Sequence, residues 1–146
     1  MYRYNSNQAM TDPRAFISFD ADHDADQKVL FAGQAKLSKT PFNIQDWSSK
    51  AALPEAEWER QIEAKIHQCN MLIVLVGNSM GSASGVVKEI GFARRGNVPV
   101  FGVYVNGAKA GCTLPGGLQS DCVIAWEWDT IAKAISQMMG EGKNKK

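Results

Sequence analysis

Short apolar runs that alternate with helical patterns constrain the fold of this chain more than any other feature. The runs AFISF (15–19), MLIVLV (71–76), VPVFGVYV (98–105) and CVIAW (122–126) are rich in β-branched and aromatic residues, and FNI (42–44) is a weaker fifth. Because these runs are apolar on both faces, they are typical of strands in a parallel sheet that is covered on both sides. The sequence therefore predicts an α/β protein.

The segments between the runs predict helices. Residues 54–69 are the clearest, with Pro54 at the first helical position and acidic residues in the first turns. Residues 84–95 form a helix after MLIVLV, and a C-terminal helix that ends at Gly140 follows CVIAW. Residues 24–38 are a weaker helix. Each helix has a predicted inward face. In the helix over 54–69 it consists of Trp58, Ile62, Ile66 and Cys69, and in the C-terminal helix of Ile131, Ala134, Ile135 and Met138. In the helix over 24–38 it consists of Val29, Leu30, Gly33 and Leu37.

Right-handed crossovers arrange this βα alternation as a doubly wound five-stranded parallel sheet with strand order 2-1-3-4-5. Such sheets bind ligands outside the carboxyl ends of the strands, where strands 1 and 3 diverge. The loops predicted to carry function are therefore residues 20–24, 45–49 and 77–84. A Gly-rich connection over 106–121 is a further place for a moving segment or a partner contact.

Length and composition indicate one domain. With 146 residues, 45% of them hydrophobic, the chain is long enough for one core. We expect a disordered segment over 1–13, the folded domain over 14–139 and a flexible basic tail over 140–146. The net charge of +1 without a basic stripe argues against a nucleic-acid partner.

The apolar runs, the cysteines and the histidines indicate the cellular compartment and whether a metal is bound. The longest apolar run is far shorter than the roughly 20 residues that span a bilayer, so no membrane association is expected. The odd number of cysteines, with no C-x-x-C spacing, indicates reduced thiols in a cytoplasmic protein and no zinc site. His23 and His67 have no second ligand at metal spacing, and no G-x-S-x-G motif indicates a serine hydrolase.

Glu89 is the strongest candidate for a functional residue. On a helix over 84–95 it shares its stripe with small and apolar residues, whereas Lys88, Arg94 and Arg95 point elsewhere. A carboxylate on an apolar face loses hydration and is usually paired or functional. The alternative is an ordinary surface glutamate that interacts with the helix dipole and with neighbouring cations.

The aspartate-rich loop after the first strand permits several interpretations. An EF-hand is excluded because Ala25 and Phe31 stand where glycine and glutamate are needed. Phosphotransfer is disfavoured because Glu127 follows the last strand in place of a lysine. Two interpretations stay open: Asp20 or Asp22 binds ligand hydroxyls, or the loop is a polar turn in which Asp24 caps the next helix.

The loops at 45–49 and 77–84 also permit two interpretations each. Trp47, between Asp46 and Ser48, either stacks on a ligand ring or covers the core. The segment GNSMGSAS (77–84) leads into a helix N-terminus, a geometry that binds phosphate, yet it lacks both the P-loop and the dinucleotide fingerprints. Glycines and serines are also ordinary in loops.

Taken together, these segments resemble a TIR-like domain, most closely the TIR-like subunit of Thoeris anti-phage defence. The resemblance covers roughly residues 14–139 and rests on FISFDADHD, IQDWSS and the stretch from the helix EAEWERQIEAKIHQC through GNSM and V-x-x-E-I-x-x-A to VPV. It implies a flavodoxin-like sheet and cleavage of the nicotinamide–ribose bond of NAD+. Glu89 corresponds to the catalytic glutamate.

The resemblance also implies the walls of the NAD+ pocket. Phe19 and Asp20 in the first loop correspond to wall positions, as do Asp46, Trp47 and Ser48 in the second. In the segment before Glu89 we expect Ser79, Ser82 and Gly85 to contact the substrate. Many TIR NADases carry tryptophan where this chain has Gly85, so Trp47 or Phe19 is expected to hold the nicotinamide ring.

The function predicted is that of an NAD+ glycohydrolase or cyclase that makes a cyclic ADP-ribose-type messenger in antiviral defence. NAD+ is the substrate, and no cofactor or metal is expected. The expected partners are a separate effector reached through the nucleotide product, a phage-derived trigger, and further copies of the chain on activation. The alternatives are a non-catalytic TIR-like assembly module and a nucleoside-processing transferase.

Overall fold

The computed structural model describes residues 13–20, 23–37, 43–45 and 54–141 and contains one parallel sheet with helices on both faces. The strands and helices are, in chain order, β1 (Arg14–Ser18), α1 (Ala25–Leu37), β2 (Asn43–Gln45), α2 (Glu55–His67), β3 (Met71–Val76), α3 (Ser84–Arg95), β4 (Val100–Tyr104), β5 (Val123–Ile124) and α4 (Trp128–Glu141). Short 3-10 turns at Met80–Ser82 and Ser120–Cys122 precede α3 and β5. The predicted α/β class with a parallel sheet is confirmed.

The strands lie in the order β2-β1-β3-β4-β5, and every adjacent pair is parallel. The described edge strands are short, with three residues in β2 and two in β5. β1 and β3 lie at the centre, and their register places Ser18 opposite Val74. Because β1 is followed by a crossover to one side and β3 by a crossover to the other, the loops after them diverge at the carboxyl edge of the sheet.

Successive residues of the central strands point to opposite faces of the sheet, and each face carries its own hydrophobic core. On one face, Phe16, Leu72 and Val74 pack with the buried side chains of α2 and α3. On the other face, Ile17 and Ile73 pack with α1 and α4. The strands are thus buried on both sides, as their continuous apolar runs require.

The predicted inward face of α1 is wrong. Val29 and Leu30 are 66% and 52% exposed, and Gly33 is exposed as well. The helix instead buries Phe31 and Ala35, which lie one turn apart. The side chain of Leu37 lies outside the described part.

Two tryptophans explain which face of α1 turns inward. The Phe31 ring lies 5.7 Å from Trp126 and 5.0 Å from Trp128, centroid to centroid. Both indole N–H groups donate to Oε1 of Gln34, at 2.9 and 2.7 Å. The larger aromatic contact area outweighs the burial that Val29 and Leu30 offer.

The other helices agree closely with the sequence. Trp58, Ile62 and Ile66 of α2 are buried, although Pro54 lies at the N-cap, one position before the helix begins. Ile131, Ile135 and Met138 of α4 are buried, and α4 continues to Glu141. The predictions for 1–13 and 140–146 fall mainly outside the described residues and stay predictions. Within the described ranges, no helix is long and apolar enough to cross a membrane.

Candidate functional site

Helix α3 places Glu89 on its inner side. Val86, Ile90 and Ala93 are buried against the sheet, and Glu89, on the same side, is only 4% exposed. The periodicity of residues 84–95 therefore predicted this orientation correctly. A carboxylate so little exposed has lost most of its hydration, which is unfavourable unless protein groups replace the water.

Ion pairs connect the outer side of α3 to α2. Lys88 contacts Glu55 and Glu59 of α2, and its Nζ lies 2.8 Å from Glu59 Oε2. Arg95 binds Glu63 through two nitrogens, at 2.9 and 3.1 Å. The paired glutamates raise the pKa of Lys88 to about 12. These cations lie about 100° and 120° around the axis of α3 from Glu89, whose own side chain reaches the end of β1.

Ser18, at the last position of β1, binds Glu89. Its Oγ donates a hydrogen bond of 2.5 Å to Glu89 Oε1, across 71 residues of sequence. Ser18 is 0% exposed. Ser18 was not predicted as a site residue; its only sequence signal is a hydroxyl within an otherwise apolar strand.

The loop after β1 brings Asp20 to the carboxyl edge of the sheet. Asp20 is buried, and its Oδ2 accepts a hydrogen bond of 2.7 Å from Nδ1 of the exposed His23. Phe19 lies next to Ser18 but on the other face, where it packs in the α1 and α4 core with Phe31. The structure thus places Asp20 at the predicted edge, whereas the Phe19 ring is part of the core beneath it.

Asp24 lies at the start of α1, as predicted, but its carboxylate does not cap the helix among the described residues. Its carbonyl accepts from the Lys28 N–H, and its Oδ1 accepts from Asn106 Nδ2 at 3.4 Å. The Asn106 carbonyl in turn accepts from Asn78 Nδ2 at 2.8 Å. This chain of contacts ties together the loops after β1, β3 and β4.

The Asp24 carboxyl is also more deeply buried than that of Asp20. It is 1% exposed, and Oδ2 accepts no hydrogen bond from the described residues. Burial raises its pKa above the ordinary value of 3.8; the Asn106 hydrogen bond opposes this shift, Asp20 adds to it, and His23 opposes it.

We expect Asp24→Asn to stabilise the protein at neutral pH. Since the folded state binds the Asp24 proton more tightly than the unfolded chain does, the free energy of unfolding falls as pH rises from the ordinary pKa through the raised one. The asparagine variant should exceed the wild type by on the order of 1 kcal/mol near pH 7 and by less near pH 4. Urea denaturation at both pH values measures this difference. An equal difference at the two pH values would show that the titration of Asp24 makes no contribution.

The segment between β3 and α3 is a tight turn with space beside Glu89. Ser79 precedes the 3-10 turn and is partly exposed, and Gly85 is the second residue of α3. A Cβ added at Gly85 would meet no heavy atom of the described residues within 4 Å, so among these residues this side of the helix is open. The side chain of Ser82 and the whole of Asp46, Trp47 and Ser48 lie outside the described part, and their predicted roles stay predictions.

The connection after β4 lies across α3. Arg94 Nη2 donates to the Gly117 carbonyl at 2.8 Å. Gly117 has a φ of +93°, and an added Cβ there would lie 2.9 Å from Ile90 Cγ2, so glycine is needed. Leu118 is buried in the same core as Ile90. The connection therefore forms a packed wall along the helix that carries Glu89.

Comparison with known proteins agrees with this architecture. A solved structure described as a prokaryotic SEFIR domain matches with a TM-score of 0.52 and 13% sequence identity, over 87% of this chain and 96% of that one. At this identity the likeness shows the fold alone. No curated protein matches the chain.

A match to a protein-family model shows the family of this chain. The model described as the Thoeris protein ThsB, TIR-like domain, matches residues 16–110, more than half of the 146-residue chain. The match spans both Ser18 and Glu89 and the loops after β1 and β3. The chain belongs to the TIR-like domain family of the Thoeris protein ThsB.

Proposed function

We propose that this protein cleaves NAD+ between nicotinamide and ribose and that Glu89 is the catalytic residue. The observation that carries the proposal is a carboxylate that is 4% exposed and held by a buried hydroxyl at the carboxyl edge of the sheet. Doubly wound sheets bind their ligands at this edge, where the central strands diverge. Membership of a Thoeris TIR-like family supports NAD+ as the substrate class.

The chemistry requires little besides a well-placed negative charge. When the bond from ribose C1′ to the nicotinamide nitrogen breaks, its electron pair stays on that nitrogen, which loses its positive charge. The ribose is left as an oxocarbenium-like cation. A carboxylate beside the ribose stabilises this charge, as carboxylates do in glycoside hydrolysis.

The acceptor determines the product. If water attacks C1′ and loses a proton, the product is ADP-ribose. If a nitrogen of the adenine or a ribose hydroxyl of the same molecule attacks C1′ and a proton is lost, the product is a cyclic ADP-ribose, which contains one water fewer than ADP-ribose. We propose the cyclic product, which would act on a separate effector protein, with a phage-derived trigger and self-assembly controlling the reaction.

Mass spectrometry of NAD+ after incubation with the full chain tests the proposed activity. The expected products are free nicotinamide and a nucleotide lighter than ADP-ribose by one water. If ADP-ribose is the only nucleotide product, the protein is a glycohydrolase and the proposed cyclase activity is wrong. A chain that assembles but leaves NAD+ intact, both at rest and when taken from phage-infected cells, would instead be a non-catalytic assembly module.

Gly85→Ala should separate stability from activity. The open space at Gly85 accepts a Cβ, and alanine is the better helix former, so the free energy of unfolding should rise by about 0.5 kcal/mol. If the space beside Glu89 admits the ribose, the same methyl group should lower NAD+ cleavage. Thermal denaturation and nicotinamide release measure the two effects.

Gly91→Ala is the matched control. Gly91 lies in the same helix and also has no heavy atom within 4 Å of an added Cβ, but it lies about 200° around the axis from Glu89. This variant should be stabilised with unchanged activity. Equal activity in both variants would show that Gly85 provides no clearance for the substrate.

A further inference from the structure

The hydroxyl of Ser18 is buried away from solvent. Ser18 is 0% exposed and follows Ala15, Phe16 and Ile17, which are also buried, in a central strand of the sheet. Burial of a hydroxyl is unfavourable unless it is hydrogen-bonded. The bond to Glu89 Oε1 supplies that partner.

The backbone that carries Ser18 is rigid. β1 pairs with β2 through Arg14 to Phe16 and with β3 through Ala15 to Ser18, where Ser18 pairs with Val74. A donor on a central strand has little freedom to move, and serine has one side-chain torsion before its hydroxyl. Ser18 therefore gives the carboxylate a fixed point of attachment.

Glu89 needs such a point because its side chain is long. Three torsions separate its carboxylate from the α3 backbone, and each has several staggered or broad minima. At 2.5 Å, the contact with Ser18 lies in the range of a charge-assisted O–H···O⁻ bond. Since both residues are buried, bulk water does not compete for the same oxygen.

We propose that Ser18 is a positioning residue for Glu89, holding its carboxylate in the orientation that faces the ribose during NAD+ cleavage. This inference rests on the proposed function. An electrostatic group accelerates a reaction most when its orientation is set before the charge develops, because no reorganisation is then needed. Ser18 acts through Glu89 and does not itself touch the substrate.

Ser18→Ala should lower kcat by about 10- to 100-fold with little change in KM, which is the range expected for a lost hydrogen bond to a charged group. Ser18→Thr keeps the hydroxyl and should recover most of the lost turnover. Val74→Ala is the control, since it removes buried methyl groups at the position opposite Ser18 without removing a polar contact. Its melting temperature should fall while kcat stays unchanged.

A double-mutant cycle separates positioning from a general effect on packing. Glu89→Asp retains the carboxylate but shortens the side chain by one methylene, so it no longer reaches Ser18 at hydrogen-bond distance. If Ser18 acts through Glu89, adding Ser18→Ala to Glu89→Asp should cause no further loss of turnover. Equal losses from Ser18→Ala in both backgrounds would overturn the inference.

The outcomes distinguish the inference from the function on which it rests. No nicotinamide release by the wild type, at rest or from infected cells, overturns the proposed function and this role with it. An active wild type and an inactive Glu89→Gln variant, together with wild-type kcat for Ser18→Ala, would overturn the role of Ser18 alone. An independent readout is the carboxyl carbon resonance of Glu89, which should shift in Ser18→Ala and stay in place in Val74→Ala.

Discussion

Replacement of Glu89 by glutamine should lower the rate of nicotinamide release by about 100- to 1000-fold, the usual effect of removing one preorganised electrostatic group. The glutamine has nearly the same shape, so the helix and its packing should be retained. Its neutral amide provides no negative charge for the oxocarbenium-like ribose. The loss should therefore appear in kcat, while KM for NAD+ changes little.

Glu57→Gln is the matched control for this variant. Glu57 is a glutamate of α2 that pairs with Arg60 near the surface, so the same chemical change occurs outside the proposed site. Its activity should equal that of the wild type. Urea denaturation of both variants shows whether any loss arises from unfolding. A folded Glu89→Gln variant with wild-type turnover would show that Glu89 is a structural residue.

Gly77→Ala should be among the most destabilising single-atom additions to this fold, by about 1–3 kcal/mol. Gly77 follows β3 directly and is buried. A Cβ built there lies 2.2 Å from Asp24 Oδ2 and 2.5 Å from Oδ1, far inside van der Waals contact. The Asp24 side chain is short and buried, so relief of the clash requires movement of the loop that begins α1.

Asp24 also provides the rescue experiment. In Asp24→Ala the carboxylate that causes the clash is absent, so Gly77→Ala should cost much less stability in that background. Gly91→Ala, which meets no neighbour, serves as the unstrained control. Urea denaturation of the two single variants and the double variant gives the coupling free energy. Simple additivity of the two changes would contradict the close approach of Asp24 to Gly77.

The sequence predicted those parts of the fold that depend on local pattern. Runs apolar on both faces gave the parallel α/β architecture, because a strand buried on two sides needs no polar alternation. The stripe of small and apolar residues gave the inward orientation of Glu89. In both cases the relevant neighbours lie within one strand or within a few helical turns.

The parts that were not predicted depend on distant partners. The inner face of α1 is set by Phe31, whose ring meets Trp126 and Trp128 nearly one hundred residues later, and Val29 and Leu30 gave a misleading local signal. Ser18 carries no local signal for a partner 71 residues away. Such contacts exist only after the chain has folded, so periodicity alone does not reveal them.

The most direct test of the account is the release of nicotinamide from NAD+ by the purified protein and by Glu89→Gln, each assayed at rest and after recovery from phage-infected cells. We predict that the wild type releases nicotinamide in at least one of these states and that the variant releases about 100- to 1000-fold less. Equal release by both proteins, or none by the wild type in either state, would contradict the claim that Glu89 makes this chain an NAD+-cleaving enzyme.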